Sequence, residues 1–359
     1  MRVLRCYLYD NNKSRLLFKY LIKYINENKL EDITIEKGYE RGLHIEITYP
    51  EERNYEGMER YIETFLDKHK QIYNDLDYAK FEKYIRTISS LEEANCEIIP
   101  LYKDGELVIE PQGTFQKKKE LNSFRVTLEI ERLKTKFLCS VYEKWNTLTE
   151  EEKNIELTKM FFITSNMNPE GIRVGYLSLR SNYEYFKHQL LDVKDKYKVD
   201  KWTNFIQYRS EKEQQFIKEG VNEFLKGAFD SELIFSKLNQ FIYEIKDIFS
   251  KSFESGELYI KNMYMADDFF ERHDSASDFH NTFYSNKNFV KQYHNKGFIV
   301  YRYIISTLYA LMTLLNISPL ERQKVTGMVA ESVESKYNIT WQDVYNEMNL
   351  KYGGEAINE

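Results

Sequence analysis

The chain has 359 residues, 42% hydrophobic and 30% charged, with a formal net charge of −6. That composition is of a soluble globular protein with ample core, and it excludes the basic footprint of a nucleic-acid binder. Cys6, Cys96 and Cys139 are odd in number and scattered. They exclude a metal spacing and read as reduced thiols of a cytoplasmic protein. The 29 Tyr and 23 Phe are many, but the chain is also rich in Lys, Ile and Asn, so composition alone does not assign them a function.

In chain order, Met1-Arg2-Val3-Leu4 runs straight into a strand pattern, with no signal peptide. Val3 to Tyr9 reads as a strand and Asn12 to Asn28 as an amphipathic helix. Ile33 to Glu36 and Gly42 to Ile47 read as two strands joined by a polar turn. Met58 to Tyr73 is helical. Cys96 to Val108 reads as short strands about the turn Lys103-Asp104-Gly105. After Gln112-Gly113 the pattern is helical over Leu121–Trp145, Thr149–Phe162, Ser178–Leu191, Trp202–Leu225 and Ser231–Phe253. The class is therefore α+β, with a small, mostly antiparallel sheet lobe over 1–115 and a larger helical lobe over 116–359, read as a single domain. Asp267 to Lys296, rich in His, Ser, Asn and aromatics, reads as a lid or active-site loop.

The most apolar helical run is Phe298 to Leu315, carried by Tyr301, Ile304, Ile305, Leu308, Leu311, Met312 and Leu315. Arg302 interrupts it, so no membrane span is expected. Ser318-Pro319-Leu320-Glu321 opens the next helix, with Ser318 as N-cap and Glu321 closing a capping box. That helix turns Val325, Met328, Val329 and Val333 inward. So short a link predicts an antiparallel hairpin in the core. Arg302, Ser306, Tyr309 and Thr313 share one face of the first helix. This stripe is either a solvated face or the polar wall of a cavity.

Motifs for nucleotides, metals and nucleophilic hydrolysis are missing. The segment from Asp278 to Ser285 is the densest mix of acid-base and aromatic groups. It is either an ordinary polar loop or a segment that turns His280 and Tyr284 toward the stripe. Lys117-Lys118-Lys119 is either a solvated run or a patch for an acidic peptide.

The segment from Tyr301 to Tyr345 resembles the carboxy-terminal helices of thiopeptide pyridine synthases. The matches are Tyr301-Arg302, Leu308-Tyr309, Pro319-Leu320-Glu321-Arg322 and Val333-Glu334; Gly42-Leu43-His44 resembles a Gly-x-His strand of the same superfamily. That superfamily includes the glutamate-elimination domain of class I lanthipeptide dehydratases. The elimination branch carries a catalytic His and then an Asn-Arg pair on this helix. Here Tyr309 stands at the place of that His, and the pyridine-forming branch is similar in placing a Tyr there; Thr313-Leu314 stands at the place of the Asn-Arg pair.

The resemblance implies a single catalytic domain with an elimination-domain-like fold. The implied reaction needs no cofactor: a formal [4+2] union of two dehydroalanines in a thiazole-bearing peptide, then loss of water and of the leader peptide. It implies Tyr309 and Tyr284 as hydrogen-bond donors to the amide oxygen that becomes an iminol, His280 as proton shuttle, and Ser277 or Ser306 orienting the peptide. Arg302 would anchor a carbonyl or structure the loop, Phe283 would stack on thiazoles, and His44 would bind substrate. The expected partner is a leader-bearing modified precursor peptide, taken by the sheet lobe or by a helical groove. Contact with other biosynthetic enzymes and homodimerisation stay open. The competing readings are a glutamate-eliminating lyase, a leader-binding scaffold without activity, and an unrelated helical protein.

Overall fold

A computed structural model describes residues 1–51, 55–91, 97–111, 123–258, 276–286, 289 and 295–353. They fall into two compact units, Met1–Tyr142 and Glu143–Glu359. The expected lobe boundary at 115/116, Cys96, Lys117 to Lys119 and most of the expected loop from Asp267 lie outside the described residues.

The first unit holds the four strands β1 (Arg2–Tyr7), β2 (Thr34–Gly38), β3 (His44–Tyr49) and β4 (Leu107–Pro111). They form one antiparallel sheet in the order β2-β3-β1-β4, so the α+β expectation holds. Alternation divides its faces. Leu4, Cys6, Ile35, Ile45 and Ile47 are buried together on one side. On the other side Arg5 sits at the centre, with Nε 2.9 Å from Glu46 and flanking pairs to Glu40 and Glu110. Helix α1 (Asn11–Asn28) buries Leu17, Phe18, Leu21 and Ile22; its N-cap is Asp10, and it packs on β3 and on α2 (Glu56–His69). The edge strand β2 is partly closed by the Thr135 hydroxyl of α4 (Phe124–Asn146), which accepts from the Ile35 N–H at 3.0 Å.

Two local readings change here. Asp104-Gly105 is a turn, but no hairpin surrounds it, because β4 pairs with β1. The Asp104 carboxylate accepts from the Tyr9 N–H at 2.8 Å and the Gln71 N–H at 2.7 Å, which ties the turn to two other segments. Gly105, at φ 79°, leaves room where an added Cβ would lie 2.3 Å from that of Lys70. Helix α3 (Asp75–Leu91) has no counterpart in the sequence reading. Its start is the Asn74 side chain accepting from the Asp77 N–H.

The second unit is helical: α5 (Glu150–Asn166), α6 (Ile172–Gly175), α7 (Leu177–Gln189), α8 (Lys196–Gln207), α9 (Glu211–Leu225), α10 (Leu233–Glu254), α11 (Asp278–Tyr284), α12 (Lys296–Leu314), α13 (Pro319–Tyr337) and α14 (Trp341–Gly353). The expected helix Trp202–Leu225 is two helices. Ser210 stops the first by forming a capping box with Glu213. The expected loop before the apolar hairpin contains α11, a short helix capped by Ser277.

Helix α13 opens with the expected capping box and buries Val325, Met328, Val329, Ala330 and Val333 completely. It packs on α5, α7, α8 and α9, whereas α12 packs chiefly on α10 and then α5. The two helices therefore do not form the expected hairpin. Both are buried on most of their circumference, so each takes its own ring of neighbours. Asn316, at φ 62°, turns the chain between them. By length and composition α12 is apolar enough to cross a bilayer, but most of it is buried within this unit.

Candidate active site

Three of the expected site residues come together at the start of α11. The Ser277 hydroxyl accepts from the His280 N–H at 3.4 Å and lies 2.6 Å from His280 Nδ1. On the other side of the ring, Nε2 lies 2.9 Å from the Ser181 hydroxyl on α7. His280 is only 2% exposed, with the Tyr284 ring 5.5 Å away and the Tyr185 ring edge-on at 6.0 Å. A neutral imidazole has one N–H and one lone pair, so one serine accepts from the ring and the other donates to it. A proton entering or leaving His280 through these bonds passes by way of a serine hydroxyl. The ring is thus held on both sides by serine hydroxyls, Ser181 at Nε2 and Ser277 at Nδ1.

Tyr309 belongs to a second cluster. Its ring meets Phe161 of α5 edge-on at 5.9 Å and lies under the Arg322 guanidinium, whose Cζ is 5.0 Å from the ring centroid. The ring is partly exposed, but the hydroxyl is buried and has no hydrogen-bond partner among the described residues. Burial pushes its pKa up to about 12, against the opposing pull of Arg322. The phenol is therefore neutral at physiological pH and is a free donor.

Helix α7 borders both clusters. Ser181 touches His280, and Ser178 and Tyr309 are both electrostatic neighbours of the Tyr301 phenol. Tyr301 is fully buried and donates to the Gly175 carbonyl. Gly175 packs so closely on α5 that an added Cβ would lie 1.9 Å from the Ser165 carbonyl oxygen.

The other expected residues are placed differently. Along the α12 stripe, Arg302 is half-buried, Ser306 and Thr313 are exposed, and Tyr309 carries a buried hydroxyl. Phe283 is 1% exposed and packs among Phe279, Phe289, Trp341 and Tyr345, which leaves no face for stacking on a thiazole. His44 lies in the first unit at the start of β3; its Nδ1 is 2.9 Å from the Gly42 carbonyl oxygen and its ring is 5.0 Å from that of Tyr7. Ser181, Tyr185 and Arg322 were missed as site residues. Ser178, Ser181, Asn182 and Tyr185 recur at helical spacing, a polar stripe legible in the sequence.

The fold is shared in outline with pyridine-synthase structures. The pyridine synthase TbtD, from thiomuracin biosynthesis, superposes with a TM-score of 0.61 over 96% of this chain and 99% of its own, at 16% identity. The crystal structure of TsrL gives a TM-score of 0.59 over 96% and 97%, at 12% identity. At these identities the likeness is one of fold. No family model matches the sequence, and no curated protein matches it.

Proposed function

We propose that this chain is a pyridine synthase of thiopeptide biosynthesis. Its substrate is a ribosomally made precursor that carries its leader, thiazoles and two dehydroalanines. The reading rests on a pyridine-synthase fold over almost the whole chain, together with a buried, neutral phenol at Tyr309 that has no partner among the described residues.

One dehydroalanine reacts through the iminol tautomer of the amide before it, as a 2-azadiene; the other supplies its alkene. Two carbon–carbon bonds close a six-membered nitrogen ring. The hydroxyl on the former amide carbon leaves as water. The amide nitrogen on the second dehydroalanine's α-carbon leaves with the leader as a carboxamide, and the ring becomes aromatic. Tyr309 donates to the amide oxygen as it gains iminol character. His280 relays the displaced protons through Ser181 and Ser277. Holding two distant residues of a flexible peptide in contact supplies up to ~7–11 kcal/mol of the barrier reduction in favourable cases. No step calls on a cofactor.

The test is incubation with a leader-bearing, thiazole-containing peptide with two dehydroalanines, read by mass spectrometry. The expected products are the macrocycle, the leader carboxamide and water, whose masses sum to that of the precursor. Release of glutamate from a glutamylated peptide instead would identify an elimination lyase. Tight leader binding with no mass change would identify a scaffold.

A further inference from the structure

Among the described residues Arg322 forms no ion pair with a carboxylate. It occupies the first turn of α13, and its Nε is buried and unpartnered among the described residues. The nearest acid in sequence, Glu321, is engaged by the capping box, accepting from the Ser318 N–H at 2.6 Å. The guanidinium lies over the Tyr309 ring, with Cζ 5.0 Å from the centroid, and a guanidinium that uses its face this way still has in-plane N–H donors. The ring beneath carries another buried polar atom without a partner among the described residues, Tyr309 Oη. Unpartnered buried donors are rare and costly. Here one cationic donor and one neutral donor are held together by direct stacking.

We infer that Arg322 and Tyr309 form a two-donor clamp for one peptide carbonyl oxygen, with Arg322 a catalytic residue that supplies fixed positive charge. The inference rests on the proposed function, in which that oxygen belongs to the amide becoming the iminol. An amide losing its N–H proton places negative charge on its oxygen, and a positioned cation stabilises that charge more than it stabilises the neutral amide. Arginine stays protonated, so Arg322 holds charge and passes no proton. Tyr309 gives the short neutral hydrogen bond, and the proton itself leaves through the His280 relay. The clamp selects an oxygen acceptor, such as a peptide carbonyl, over an N–H or apolar group.

The experiment compares wild type, Arg322→Gln and Arg322→Lys in two arms. One arm measures single-turnover ring formation on the leader-bearing bis-dehydroalanine peptide. The other measures affinity for that full peptide and for the leader alone. Arg322→Gln is expected to slow ring formation by ~10²-fold. It is expected to weaken the full peptide by about tenfold while leaving leader affinity unchanged. Arg322→Lys, which keeps the charge and loses the planar edge, is expected to recover part of the rate; it also carries the test if the Gln variant does not fold. Wild-type turnover in Arg322→Gln, or equal loss of full-peptide and leader affinity, would overturn the clamp. If wild type itself forms no ring, the pyridine-synthase reading falls. The affinity arm then still decides whether Arg322 grips the modified core.

Discussion

Replacing Tyr309 by Phe removes one oxygen and leaves the ring contacts with Phe161 and Arg322 in place. A buried hydroxyl without a partner lowers stability by about 1–3 kcal/mol. Its removal should therefore stabilise the fold, by at least about 1 kcal/mol, which is a rise in Tm of about 2–4 °C for a unit of this size. The same change removes a donor present only for the substrate, and ring formation should fall ~10²–10³-fold, about 2.7–4 kcal/mol of transition-state stabilisation. A gain in stability with a loss of activity marks a group kept for function. The phenol works in its protonated form, which is lost as pH rises through its pKa of about 12. Wild-type turnover should consequently show no loss with an apparent pKa near the ordinary tyrosine value of about 10. Thermal melting and single-turnover mass spectrometry read the outcomes. A lower Tm would mean that the hydroxyl has a partner, and unchanged turnover would remove Tyr309 from the mechanism.

Ser181→Ala should slow ring formation by ~10-fold or more and also lower stability by about 1–3 kcal/mol, because it removes a hydrogen-bond partner of the buried His280 ring. Ser277→Ala should also lose about 1 kcal/mol of stability, since Ser277 caps α11 as well. Phe283→Ala should cost ~3–5 kcal/mol by opening the aromatic core, with no selective loss of affinity for thiazoles per folded molecule. In Glu213, burial raises the carboxyl pKa, but bonds from Lys324, the Ser210 N–H and Asn154 outweigh it and hold the value below the ordinary range. The stability this adds is present above the unfolded carboxylate pKa and is lost as pH falls through the folded one. Glu213→Gln should flatten that acid limb in urea titrations. It should also cost ~3–5 kcal/mol at neutral pH by leaving Lys324 buried without its partner.

The elements that the sequence displays plainly are those with local signals. Asp10, Ser210 and Ser318 start helices through their own side chains, and alternation in β1 and β3 reports a sheet face. Pairing partners are not local. Lys103-Asp104-Gly105 looks like a hairpin turn, and only the distant strand β1 shows that it is not. The same limit hid the separation of α12 from α13, because a helix buried on most of its circumference does not say which neighbour it prefers. At the site, His280, Tyr284 and Ser277 stand out because they crowd one short segment. Ser181 and Arg322 gain their meaning only from what the fold sets beside them, an imidazole and a phenol. Phe283 shows the reverse error, an aromatic that reads as a stacking surface and is core.

The most direct measurement is the fate of a purified bis-dehydroalanine precursor mixed with this protein alone. A new pyridine absorbance should grow together with the freed leader carboxamide, in equal amounts and without added metal or nucleotide. Quantitative recovery of the intact linear precursor, under conditions where the protein is folded and binds the leader, would contradict the assignment.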